Sequence, residues 1–465
     1  MQLAEKYGDV MYFDVFGKSL VVLSSQEAAS DLLEKRSAVY SSRSSSTVHE
    51  MIGWADMLTL LPYGEQFQKQ RKFLQQAFTK QGCLAFRPSQ LSQTHLLLKR
   101  IPQDPACYED HVRRFTAAVI MEIAYGHKVA SDDDPYVDIA ERTHKILMEA
   151  GHSLSILDFF PWLRYLPSWF PGNWFGRFAN DAASFVQHMR DMPFEQATGN
   201  AAPSFTSMQI EELERDGGAS PESLQTLKIA SSQMYVAGAD SIWSTILNVI
   251  AVLFLHPKVQ RKVHYELDRV LGGKRLPDFD DHESLPYLDA VIQETMRWHP
   301  TAPLGMPHRS TADDIYRGMY IPKGTTVLAN SVAMSMDNTV YGSPTEFRPE
   351  RFLPPRSEPL PVNISFGWGR RRALSHDDVS GRHLADASVW IVVASLLTVF
   401  EIIPAKDDKG QDIIPEIKWL CGITRPPSRA VSVAQMQKCA RNKYLPCEHL
   451  EELNGAGILP AVKGE

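Results

Sequence analysis

The chain has 465 residues, of which 44% are hydrophobic, 22% charged and 10% aromatic, a globular composition that excludes disordered, collagenous and coiled-coil classes. Its 48 basic and 55 acidic residues give a formal net charge of −7, so the overall field makes no electrostatic case for nucleic acid as a partner. Five cysteines without a CxxC pair fit neither a disulfide scaffold nor a zinc site and point to a reducing, intracellular setting.

The opening MQLAEKYGDV reads as a charged helical start, without the apolar run of a signal peptide or an anchor. Residues 10–24 alternate as a β-hairpin would, with Gly17-Lys18 at the turn, and 26–36 read as a helix. From 63 to 272 helical patterns dominate, interrupted by a segment rich in proline and aromatics at 159–178. The most apolar stretches, 242–255 and 387–400, are broken by polar residues or fall short of the ~20 residues that span a bilayer, and are expected to be core helices. Residues 281–299 read as another helix with Ser284 as its cap, followed by short strand-like runs at 320–321 and 325–328. No repeat or Gly/Ser linker divides the chain, so the expected architecture is mainly α with small β elements, in one continuous large domain.

Several local patterns carry chemistry. Glu294 and Arg297 stand three apart on a helix and share a face; alone, such a pair is ordinarily a solvated contact contributing roughly a few tenths of a kcal/mol. About fifty residues later come Phe347-Arg348-Pro349-Glu350-Arg351-Phe352 and then Phe366-Gly367-Trp368-Gly369-Arg370-Arg371-Arg372, a Gly- and Arg-rich loop leading into an apolar helix. Upstream, Ala237-Gly238-Ala239-Asp240-Ser241 interrupts a long apolar helical pattern. A glycine in a helix costs about 1 kcal/mol relative to alanine, and a buried acid costs more unless paired, so this segment needs a reason such as a ligand packed against the backbone.

In this order the motifs resemble the cytochrome P450 family of haem-thiolate monooxygenases, in its fungal, microsomal-type members, along nearly the whole chain. The resemblance assigns residues 237–241 to the family's oxygen-activation motif, Glu294 and Arg297 to its ExxR pair, and 349–352 to its PERF segment, with Arg351 completing a buried charge triad. LPYGEQFQKQRKF, Trp169-Phe170-Pro171-Gly172 and residues 259–263 look most like basidiomycete secondary-metabolism members, tryptamine hydroxylases among them. It implies the cytochrome P450 fold, a haem cofactor, and electrons from NADPH through an NADPH-cytochrome P450 reductase. It also implies hydroxylation of a small apolar substrate, and a place on the endoplasmic reticulum membrane through an N-terminal anchor that this sequence does not show. Asp240 and Ser241 would face the distal side of the haem as the acid and alcohol that relay protons. A serine bonding back to a carbonyl one turn earlier is the plain alternative for Ser241. Phe67, Arg71, Ala237, His308 and Arg371 would bind the cofactor, with Arg71, His308 and Arg371 on its propionates. Phe67 stands where the family usually has tryptophan and so lacks an indole N–H donor. Arg370 to Arg372 could also face an acidic reductase surface, and 159–178 could lie on a membrane or pack inside.

The sequence departs from the family at its key point. Reading rightward from Phe366 the ligand cysteine should stand at 373, where the residue is Ala373; reading leftward from Gly381 it should stand at 379, where the residue is Val379. Between Arg372 and Gly381 lie the eight residues ALSHDDVS where the family has two, so no residue is assigned as iron ligand. His376 offers an imidazole, with solvation in a polar loop as its ordinary alternative. The thiolate donates electron density that favours O–O cleavage, so its loss should collapse turnover even with haem bound. Residues 426–465 are polar and mixed, with little strand character, where the family forms an apolar β-hairpin. The expected organisation is therefore a P450 domain over 1–425 and a divergent tail over 426–465. Two departures near one end fit a misplaced splice junction or a decayed gene.

Overall fold

The computed structural model describes residues 2–129, 133–152, 156–166, 170, 174–199, 202–355, 357–371, 381–404, 409–413, 419, 424–427 and 434–438. The hairpin forms from β1 (Val10–Val15) and β2 (Lys18–Leu23), paired antiparallel from Val10↔Leu23 to Val15↔Lys18. Its turn is Phe16-Gly17, one residue earlier than expected, with φ +49° and +77° at the two positions. That left-handed pair gives a two-residue turn whose twist matches the strands. Further on come β3 (His308–Arg309), β4 (Asp314–Tyr316), β5 (Met319–Ile321) and β6 (Thr326–Ala329). β2 pairs in parallel with β6, and β6 antiparallel with β3, giving a four-stranded sheet in the order β1-β2-β6-β3, while β4 and β5 form a separate hairpin.

The helical body contains α1 (Glu65–Ala77), α2 (Arg87–Arg100), α3 (Tyr108–Tyr125), α4 (Pro135–His152), α5 (Trp174–Gly199), α6 (Pro221–Leu255), α7 (Pro257–Leu271), α8 (Pro286–Trp298) and α9 (Arg382–Val399). α6 begins where Ser220 caps it, its hydroxyl accepting from Ser223 N–H and Ser223 reciprocating, with Pro221 at the first helical position. α6 and α9 are long and apolar enough to cross a membrane by composition, yet 78% and 72% of their apolar windows are buried in the body, where they are core helices.

Two local expectations are corrected. Residues 26–36 form a helix only over Gln26–Ala29, then widen into a π-type turn at Ser30–Lys35. Residues 281–299 split: Asp278 caps a 3₁₀ turn over Phe279–Ser284, and α8 starts at Pro286 without Ser284 as its cap. The proline disfavours helical backbone at Leu285, so the two pieces cannot join. After α9, β7 (Phe400–Pro404) pairs antiparallel with β8 (Ala434–Lys438), so five residues of the 426–465 segment form a strand. Ala373, His376 and Val379, and all of ALSHDDVS, lie outside the described residues.

The expected charge triad ties α8 to the loops after β6. Glu294 and Arg297 are fully buried, with Arg297 Nε 2.7 Å and Nη2 2.8 Å from the carboxylate. Arg351 Nε reaches Glu294 at 3.0 Å, and its Nη1 reaches Glu358 at 2.7 Å. This network holds the 335–358 segment from which the wall at 364–371 continues.

Candidate active site

Two apolar lobes of about 330 and 310 Å³ meet between the middle of α6 and the start of α9, sharing Arg43, Ser241, Phe366 and Arg371 in their walls. They form one slot. Ile242, Ile292, Met296 and Val389 line the first lobe; Phe67, Ile120, Ala237 and Leu384 line the second. Gly238 has its reason here: a Cβ would stand 3.0 Å from Ile120 Cδ1 of α3, and the bare backbone also faces the slot. The wall at 364–371 turns sharply at Gly369, whose φ is +64° and where a Cβ would fall 1.8 Å from the Leu33 carbonyl oxygen.

One end of the slot is cationic. The structure brings Arg71, His308 and Arg371 together there, beside Arg43. Arg43 Nη1 donates to the carbonyls of Met306 and Pro307 at 2.7 and 2.6 Å, and Nε to Thr59 at 3.2 Å. Arg371 donates to Ser41 O at 2.6 Å, Leu58 O at 3.2 Å and Leu61 O, while Arg71 donates to Arg370 O. Among the described residues no carboxylate pairs with Arg43 or Arg371, and carbonyls are neutral acceptors that leave the charge uncompensated. Burial, then Arg371, holds the Arg43 guanidinium well below its ordinary pKa. Burial and the neighbouring Arg71 push Arg371 down to about 10. Burial, then Arg43, holds His308 neutral well below its usual value, its Nδ1 lying 2.8 Å from Tyr40 O. Phe67 is buried beneath this cluster, its ring 4.4 Å from the Arg371 guanidinium and 5.7 Å from that of Arg71. It lacks tryptophan's donor but supplies a π-face to both cations.

Asp240 and Ser241 do not share a face. Ser241 lines both lobes, and its hydroxyl donates to Ala237 O at 2.8 Å, so its proton is engaged in the back-bond of the plain alternative. Asp240 points the other way, with Oδ1 3.1 Å from His144 Nε2 of α4 and Oδ2 accepting from Thr424 Oγ1 at 2.6 Å. Neighbours on a helix lie about 100° apart, so the pattern itself held that signal. Arg43, His144 and Thr424 were not legible: each meets its partners across a long stretch of chain.

The cytochrome P450 family model matches residues 1–431. The chain is 34% identical over 98% of its length to cytochrome P450 monooxygenase 136 of Postia placenta, covering 88% of that protein. It is 37% identical to cytochrome P450 monooxygenase ple1 of Rhodocybe pseudopiperita over 88% of this chain and 79% of that one. It is 35% identical to the tryptamine 4-monooxygenase of Psilocybe cyanescens over 90% of this chain and 84% of that one. The chain belongs to the cytochrome P450 family. Its fold agrees: a zebrafish cytochrome P450 solved with abiraterone superposes with a TM-score of 0.75 at 20% identity, over 94% of this chain and 98% of that one. P450s are haem monooxygenases that take electrons from a redox partner and act on organic substrates, and in fungi they are typically membrane-associated.

The slot fits the organic body of haem. Apolar walls suit the macrocycle, and Arg43 and Arg371, with no carboxylate partner among the described residues, suit two propionates. The sulfur ligand is another matter. Of the described cysteines, Cys83 is a buried thiol, pushed up to about 11 by burial and so kept protonated, and neither it nor Cys107 lines the slot.

Proposed function

We propose that the chain binds haem in this slot and hydroxylates a small apolar substrate in fungal secondary metabolism. The observation that carries the reading is the cationic end of an otherwise apolar slot: Arg43 is buried and Arg71 and Arg371 are half-buried beside it, close enough to oppose one another, which an anion with two carboxylates relieves. Bound with a thiolate ligand, haem supplies dioxygen activation and oxygen insertion, using two electrons from NADPH through a reductase. The chain's own contribution is to anchor the carboxylates at that end, with Phe67 beneath the cations. Ala237, Ile242 and Val389 exclude water, and the Ser241 hydroxyl stands at the wall with Asp240 behind it. The relative named for tryptamine supports a compact aromatic amine as a first substrate to try.

A second reading, a P450-like protein that binds haem without turnover, is favoured by ALSHDDVS standing where the family carries its cysteine. The two separate in two steps. Iron-free protoporphyrin IX should raise the melting temperature of the haem-free chain by an amount equal to about 2.7 kcal/mol at a hundredfold excess over Kd, and its dimethyl ester should not. Equal shifts would overturn the propionate assignment. The haem-loaded chain, given a reductase, NADPH and tryptamine, then either forms hydroxylated product, which supports the first reading, or binds haem stoichiometrically and forms none, which supports the second.

A further inference from the structure

Most uncharged polar side chains in the slot walls already have their protons engaged. Ser241 donates to Ala237 O, Thr245 to Ser241 O at 2.7 Å and Ser331 to Ile364 O at 3.1 Å. Thr301 Oγ1 lies 3.1 Å from Thr245 Oγ1, and because the Thr245 proton is committed, Thr301 is the donor of that pair. The Ser365 hydroxyl has no partner among the described residues but is sealed from the lobe by its neighbours. Gln233 differs. It is buried, lines the second lobe and heads the row Gln233, Ala237, Ser241, Thr245, spaced by four, that α6 turns towards the slot. Its Oε1 accepts from Thr59 Oγ1 at 3.4 Å, which leaves Nε2 with no acceptor among the described residues and not enclosed. Thr59 is itself tied down, its carbonyl accepting from Arg43 Nε at 3.2 Å and the preceding carbonyl, Leu58 O, from Arg371.

We propose that Gln233 is the specificity-determining residue of this site: its carboxamide N–H donates to the one neutral hydrogen-bond acceptor of a small, otherwise apolar substrate, and Thr59 is the positioning residue that holds the amide in that orientation. This rests on the haem-oxygenase reading above and narrows its substrate class. An apolar pocket orients its ligand through a few fixed polar groups, and a buried donor left without an acceptor penalises any ligand that cannot supply one. Gln233 stands about 12 Å along the axis of α6 from Ser241, so it meets a ligand at one end, with Leu58, Ile120 and Met234 around the rest. The acceptor it selects is a carbonyl, an ether, a hydroxyl or an uncharged amine. An ammonium has no lone pair to offer and would face Arg43 and Arg371, so an amine substrate enters uncharged.

The probes are 1-indanone and indane, two fused-ring molecules of the same outline that differ by a carbonyl oxygen, titrated by calorimetry into the haem-loaded full-length chain. Water holds the ketone more strongly than the hydrocarbon, so the readout is the ratio of Kd for indane to Kd for indanone, compared between chains. Gln233→Met keeps the length of the side chain and removes the donor; the ratio should fall about three- to tenfold, the worth of one hydrogen bond, and an unchanged ratio overturns the proposal. Gln233→Leu serves in the same way if the methionine variant is insoluble. Haem affinity should stay within about twofold of the parent in either variant, and a tenfold loss overturns the assignment by placing the amide on the porphyrin. Thr59→Val should lower the ratio at least about twofold with the Kd for indane unchanged; a parental ratio there overturns the positioning role. Failure of the parent to hold haem refutes the haem-oxygenase reading alone, and the same ratio measured on the haem-free parent and Gln233→Met then decides the amide.

Discussion

Arg297→Ala tests the claim that the buried charge network, rather than helix propensity, holds the site together. Arg297 is fully buried, and its five donor contacts go to both oxygens of Glu294 and to the carbonyls of Ser335, Pro344 and Glu346, at 2.7 to 3.4 Å. In the intact network two carboxylates, Glu294 and Glu358, face two buried guanidiniums, Arg297 and Arg351. Alanine leaves Glu294 with Arg351 alone as a charge partner among the described residues, Glu358 being shared between Arg351 and Arg348, strips the Ser335 and Pro344 carbonyls of a donor, and opens a side-chain-sized void. Each orphaned acceptor costs about 1–3 kcal/mol, and breaking one partner from a buried pair costs about 3–5 kcal/mol in all. Against a typical total stability of about 5–15 kcal/mol, that is enough to empty the folded state in many chains. Soluble yield and the urea midpoint followed by circular dichroism are the assays. Arg142→Ala is the control, because its pair with Asp138 is more than half exposed on both sides and should contribute no more than about 0.5 kcal/mol. A soluble Arg297→Ala chain with a midpoint shift no larger than that of Arg142→Ala would refute the reasoning.

The other predictions concern the wall and the cationic end. His308 is held neutral in the folded chain and titrates near 6.5 once unfolded, so below that pH the unfolded state binds a proton that the folded state does not. Stability should therefore fall as pH drops from about 6.5 towards 5, by at most about 1.4 kcal/mol per pH unit for this group, and His308→Asn should flatten urea midpoints measured across that window. An unchanged slope would show that His308 is solvated. Gly369→Ala drives a Cβ to 1.8 Å from the Leu33 carbonyl oxygen at a φ of +64°, so the 364–371 wall cannot keep its path. The left-handed backbone alone costs about 1–2 kcal/mol, and porphyrin affinity should fall with it; a variant with parental porphyrin binding would show that the wall does not shape the slot.

Short-range order was legible wherever the deciding contacts are local. Alternation over 10–24 sufficed for the hairpin, because period-2 burial is a property of neighbouring residues, although the turn came one residue earlier, with Phe16 and Gly17 both at positive φ. Three-residue spacing put Glu294 and Arg297 on one helix face, and apolar continuity marked α6 and α9 as core. The motif order carried the family and most of the slot: Phe67, Arg71, Ala237, His308 and Arg371 all line it. Where local reasoning erred, the signal was present but outweighed, as at Pro286, which splits the helix expected over 281–299.

Tertiary structure alone decided the rest. Arg43 stands in a polar serine run, and nothing nearby marks it; its charge becomes consequential only because its acceptors at Met306 and Pro307, 263 and 264 positions away, carry it into the slot beside Arg371. Asp240 and Ser241 are adjacent in sequence, yet one backs onto His144 and Thr424 while the other faces the slot, because α4 and the segment at 424 pack on the opposite side of α6. Sequence spacing determines which side chains share a helix face. What that face meets depends on contacts between residues far apart in the chain, and it is burial beside those partners, with water excluded, that turns ordinary arginines, a histidine and an aspartate into a site.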